Sequence, residues 1–107
     1  MATQGIVSVR EHDEVIMKVV AGSDGYNASK VATKLRGEWP VSAERAYDIA
    51  IQEVFGSVHD LVVQTIGEDL YKGDDELNPR YRTTFADPNF NPRWEHGTAD
   101  HVEIVDL

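Results

Sequence analysis

The chain has 107 residues, 41% of them hydrophobic and 27% charged, the size and make-up of one folded domain that buries roughly 65% of the surface its unfolded chain would expose. Nineteen acidic residues against 10 basic ones give a formal charge of −9, a field that repels phosphate, so neither nucleic acid nor an anionic membrane is an expected partner. The absence of cysteine removes disulfides, thiolate metal ligands and cysteine nucleophiles together.

The opening residues MATQGIVSVREHDEV lack the basic start, long apolar middle and small-residue cleavage site of a secretory signal, and no stretch approaches the roughly 20 apolar residues of a membrane span. A cytoplasmic location is the expectation. Ile6, Ser8 and Arg10 alternate with Val7 and Val9, and after the polar corner at 11–14 the run VIMKVVAG begins. Two β-rich runs joined by a short acidic turn predict an antiparallel hairpin. Both parities of the second run are largely apolar, which predicts a strand interior to its sheet, covered by helices on one face and by another subunit on the other.

The stretch Gly22-Ser23-Asp24-Gly25-Tyr26 then breaks the strand. Its glycines supply backbone freedom, Asp24 can bond nearby amides, and Asn27 suits the N-cap of a helix from Ala28. Ala28, Val31, Ala32 and Leu35 share one helical face, and the helix should stop before Trp39 because Pro40 pushes its predecessor out of the helical region. Ser42 is placed to cap a second helix, with Val41 and Ala46 as its staple. The apolar face Tyr47, Ala50, Ile51, Val54, Val58, Leu61, Val62 and Ile66 extends that helix for about six turns to Gly67, with Gly56 and Ser57 as the point where it bends or splits.

Residues 68–79 read as an acidic connector, 80–85 (RYRTTF) as a strand, and 86–101 as irregular chain holding two Xaa-Pro turns. HVEIVDL at 101–107 reads as a final strand with Val102 and Ile104 on one face. The fold expected is a single α+β domain over 1–107: a two-layer sandwich in the chain order ββααββ, with a mainly antiparallel four-stranded sheet and its helices on one face.

Thr3, the strand Ile6 to Val9, and Asp24-Gly25-Tyr26 followed by a helix from Ala28 make residues 3–35 resemble a set of small uncharacterised phage, prophage and bacterial proteins. Where those proteins often carry a bulky aromatic or histidine before the Asp and a proline after the Tyr, this chain has Ser23 and Asn27. The resemblance implies a hairpin-to-helix fold and a phage or bacterial source, and no mechanism.

No complete catalytic constellation is visible, so enzymatic activity is left open and no catalytic residue or cofactor is assigned. Gly22-Ser23-Asp24-Gly25 misses the nucleophile elbow by one position, and no phosphate-cradling glycine motif occurs. Glu95, His96, Asp100 and His101 are ligand types for zinc or nickel, but their spacing matches no metal motif, and the run Asp74-Asp75-Glu76 lacks the alternation of a calcium loop. No metal site is assigned. On a strand at 80–85, Arg80 and Arg82 share a face, with Arg93 and Trp94 on the next loop. Such a cluster either pairs with carboxylates of the domain or holds an anionic, nucleotide-like small molecule.

The candidate ligand-binding residues are therefore Asp24, Tyr26, Arg80, Arg82, Arg93 and Trp94. Two functions follow. The first is a non-enzymatic binding or interaction module that self-associates as a homo-oligomer or takes a protein partner; the second is a small enzyme or sequestering protein for an anionic small molecule. A weaker third is mimicry of nucleic acid by the negative surface, concentrated at 67–107 with 10 acids against 4 bases.

Overall fold

The computed structural model describes residues 3–58, 60–65, 68–71 and 99–107. Strands β1 (Gly5–Glu11) and β2 (Glu14–Ala21) form the expected hairpin. Its two turn residues, His12 and Asp13, both have left-handed backbones (φ 53 and 64), the geometry that matches the twist of a two-residue hairpin. A bulge follows. Val9 faces Met17 and Arg10 faces Val15, leaving Ile16 as the extra residue.

A single 3-10 turn, Gly25–Asn27, leads into α1 (Ala28–Glu38) and then α2 (Ala43–Gln52). Helix α1 stops before Trp39, whose ψ of 138 is the extended backbone that a following proline imposes. Ser42 caps α2 as its position predicts, its Oγ accepting from the Arg45 amide at 3.1 Å. Three more strands follow: β3 (Leu61–Thr65), β4 (Glu68–Tyr71) and β5 (His101–Asp106).

The sheet order is β4-β3-β2-β1-β5, so β2 is interior, as its apolar composition predicts. Both helices lie on one face. Val7, Val9, Val19, Leu61, Val63 and Val105 from the sheet meet Val31, Leu35, Ile49 and Ala50 from the helices in one core, each fully buried large side chain contributing about 1.5–3 kcal/mol. On the other face, Ile6 and Val20 pack with Ala99. Val20 is thus buried within a single chain, and the second apolar parity of β2 requires no partner subunit.

Three sequence expectations need correction. The sheet is mixed rather than mainly antiparallel, because β5 runs parallel to β1 in the register Gly5 beside His101 through Arg10 beside Asp106. That direction brings Arg10 to Asp106 in a two-pronged contact, Nε to Oδ1 at 2.9 Å and Nη2 to Oδ2 at 3.0 Å; an antiparallel β5 would set Arg10 beside its other end. The sheet also gains a fifth, short edge strand, β4, from residues read as acidic connector.

The second helix is the third correction. It ends at Gln52, not near Gly67. The Val54 amide donates to the Ile51 carbonyl at 3.1 Å and the Phe55 amide to the Ala50 carbonyl at 2.8 Å, the paired bonds of a Schellman stop. Its left-handed residue is Val54, at φ 55. The freed apolar run Leu61-Val62-Val63 is buried on both sides as a strand can be, pairing with Ala21 to Val19 of β2. The strand expected at 80–85 lies outside the described residues.

Candidate functional site

The corner between β2 and α1 is built by three segments that meet: residues 22–27, the segment 53–60 after α2, and the chain entering β1. Gly25 sits against the last of these. Its amide donates to the Thr3 carbonyl at 2.8 Å, and a Cβ on it would lie 2.3 Å from the Gln4 carbonyl carbon and 2.4 Å from the Gly5 nitrogen. Glycine is therefore required here for close approach of two backbones, while the left-handed residue of the turn is Asp24, at φ 54.

The polar side chains Ser23, Asp24, Tyr26, Asn27 and Asp60 of the corner each have a structural partner. Ser23 Oγ donates to Asp60 Oδ2 at 2.6 Å, and Asp60 Oδ1 accepts from the Ser57 amide at 2.8 Å, so one carboxylate ties the corner to the segment before β3. The Ser23 hydroxyl is thus directed at a carboxylate and does not form the serine–histidine pair of a catalytic triad. Asn27 makes no side-chain cap, contrary to expectation. Its Nδ2 instead donates to the Val54 carbonyl at 2.8 Å, locking the start of α1 to the strained stop of α2, and the residue is itself buried.

Asp24 and Tyr26 are the corner's remaining candidate ligand groups. The Tyr26 hydroxyl donates to Asp24 Oδ1 at 3.2 Å while the ring is 56% exposed. That bond, with the nearby negative charge, raises the phenol above its ordinary pKa, since ionisation would set two anions side by side. The structure joins these two residues to each other. Arg80, Arg82, Arg93 and Trp94 lie outside the described residues, as do His59, Asp74, Asp75, Glu76, Glu95 and His96. Of the residues considered for metal, Asp100 accepts from the Gln4 amide through Oδ2 at 2.9 Å, and His101 is exposed at the start of β5. Among the described residues no group of three metal-ligating side chains occurs.

Two further surface features stand out. A shallow depression of about 290 Å³ along α1 is lined by Ser29, Lys30, Thr33, Lys34 and Glu53, with Lys34 Nζ 3.8 Å from Glu53 Oε2. The other is the edge strand β5, where Val102 is 50% and Ile104 45% exposed on the face away from the helices, followed by Leu107 at 46%. Sequence reading placed Val102 and Ile104 on one face but gave them no functional weight. The signal was the alternation itself, with apolar residues at every second position of the final strand.

Comparison of the chain with protein-family models, with curated proteins and with solved structures gives no match. No helix among the described residues is long and apolar enough to cross a membrane.

Proposed function

We propose that this protein is a non-enzymatic interaction module that self-associates, in keeping with the phage or bacterial source its first third suggests. The observation that carries the reading is the edge strand β5, which exposes about half of Val102, Ile104 and Leu107 beside a backbone edge that no other strand covers among the described residues. An uncovered, apolar edge strand is a template for pairing with another chain unless it is blunted. The polar groups of the corner support the same reading, since Ser23, Asn27 and Asp60 are spent on holding segments together.

Light scattering after size exclusion, over a range of concentrations, tests the proposal. A species of twice the chain mass or a multiple of it is expected; a particle of single-chain mass at every concentration would refute it. The anion-binding alternative rests on Arg80, Arg82, Arg93 and Trp94, and a thermal-shift screen against nucleotides, phosphosugars and carboxylates separates it. A ligand at a hundred times its dissociation constant stabilises by roughly 2.7 kcal/mol, and the Arg82→Ala variant should lose that shift.

A further inference from the structure

The geometry points to one register for self-association: β5 pairs antiparallel with β5 of a second copy about a twofold axis that passes beside Ile104 and runs perpendicular to the sheet. This deepens the proposed function and rests on it. The His101 amide donates to the Gln4 carbonyl at 3.1 Å and the Leu107 amide to the Arg10 carbonyl at 2.9 Å. A strand residue turns its N–H and C=O to the same side, so His101, Glu103, Val105 and Leu107 bond inward toward β1. Val102, Ile104 and Asp106 turn theirs to the outer edge, where no strand lies among the described residues.

Around such an axis, residues that face each other must point to the same side of the sheet, which restricts the centre to a residue of the strand. A centre at Glu103 sets two glutamates against each other and brings Asp106 opposite Asp100, like charges that destabilise a cross-strand pair. A centre at Asp106 opposes two aspartates. One at Val105 sets Val102 past the end of β5 at Asp106, and one at Val102 puts Ile104 opposite Asp100 and leaves Asp106 past the start of the strand. With Ile104 at the centre, the outward backbone groups of Val102, Ile104 and Asp106 all find partners: Ile104 meets Ile104, Val102 meets Asp106, and Glu103 meets Val105. No like charges are opposed, and the two half-exposed isoleucines cover each other.

On the helical layer, the Lys34 and Glu38 charges of α1 are paired within one copy, with Glu53 and Arg45. Each copy carries a charge of −9, so repulsion opposes association at low salt, and screening by added salt strengthens it. A basic partner on the same surface would show the reverse.

Because the chain contains no cysteine, single-cysteine variants carry a nitroxide at one place only. Labels introduced by Ile104→Cys should lie across the axis with Cα atoms roughly 5.5 Å apart, and those introduced by Val102→Cys roughly 14 Å apart along the strands. Strong dipolar broadening at 104 with weak broadening at 102 is the expected result. Equal broadening at both would place the centre at Glu103, and strong broadening at 102 with weak at 104 would place it at Val102, either of which overturns the register; none at either, in a particle that still scatters as a dimer, would move the interface elsewhere while leaving self-association standing. Single-chain mass in the unlabelled protein would remove both. Ile104→Lys should weaken the dimer at least about tenfold with an unchanged far-ultraviolet spectrum, and unaltered association would count against the proposal.

Discussion

Replacing Gly25 by alanine should unfold this protein far more readily than a methyl group normally would. The new Cβ would stand 2.3 Å from the Gln4 carbonyl carbon and 2.5 Å from its oxygen, about 1 Å short of ordinary contact. Both are backbone atoms, and the strand cannot swing aside as a flexible side chain would. Retreat of Gln4 would stretch the 2.8 Å bond from the Gly25 amide to the Thr3 carbonyl, and it would pull on the Gln4 carbonyl, which accepts from the Asp100 and His101 amides at 3.1 Å. Overpacking costs about 1–3 kcal/mol and one weakened backbone bond about 1 more, for a loss of roughly 2–4 kcal/mol and a Tm lower by about 10–25 °C. Gly37→Ala is the control, since its Cβ would meet nothing within 4 Å; it should be neutral or stabilising by up to about 1 kcal/mol. Urea titrations followed by circular dichroism, with the slope unchanged, measure both. A Gly25→Ala midpoint equal to that of Gly37→Ala would refute the close-approach account.

Other groups give sharper tests of single contacts. Asn27→Ala strands the Val54 carbonyl and should cost about 1–3 kcal/mol in the same titration, whereas a loss near zero would mean that water replaces the amide. The Asp106 and Glu38 carboxyls are lowered by the hydrogen bonds and charge of Arg10 and Arg45, so their stabilising contribution is present in full above the unfolded carboxylate range near about pH 4 and is lost as pH falls through the lowered values. An Arg10→Gln, Arg45→Gln double variant should therefore flatten the acid limb of the stability curve. The raised Tyr26 phenol runs the other way: its bond to Asp24 stabilises below the ordinary tyrosine value of about 10 and is lost as pH rises through the raised one. The difference in tyrosinate absorbance between wild type and Tyr26→Phe should titrate late, and Asp24→Asn should bring it back toward the ordinary value.

What could be read from the sequence was what local chemistry alone decides. The hairpin, the stop before Trp39, the Ser42 cap and the interior placement of β2 each depend on a few adjacent residues, and each is found. The parallel placement of β5 joins β1 to residues 96 positions away, Arg10 to Asp106 among them, and no periodicity reports such a pairing. In the corner, sequence reading paired Asp24 with Tyr26 as ligand groups but missed Asp60, because a carboxylate near an apolar run carries no mark of the serine it will hold.

The misread helix shows why local rules fail where they do. A reader of sequence looks for glycine at the left-handed position that ends a helix, and here that position holds Val54, a β-branched residue for which the conformation costs about 1–2 kcal/mol, while glycine comes two residues later at φ 77. The apolar spacing then runs across the stop into Leu61, Val62 and Val63, and the period of 3.6 fits residues that in fact belong to two elements. Tertiary contacts hold Val54 in place: Asn27 bonds its carbonyl from across the corner, and Phe55, fully buried in the core, fixes the direction in which the chain leaves. Those contacts come from outside the α2 segment, from the corner between β2 and α1 and from the core. Termination of α2 is therefore a property of the assembled corner rather than of the segment that terminates, and the same junction, through Gln4, sets where β5 begins and which of its backbone groups face outward.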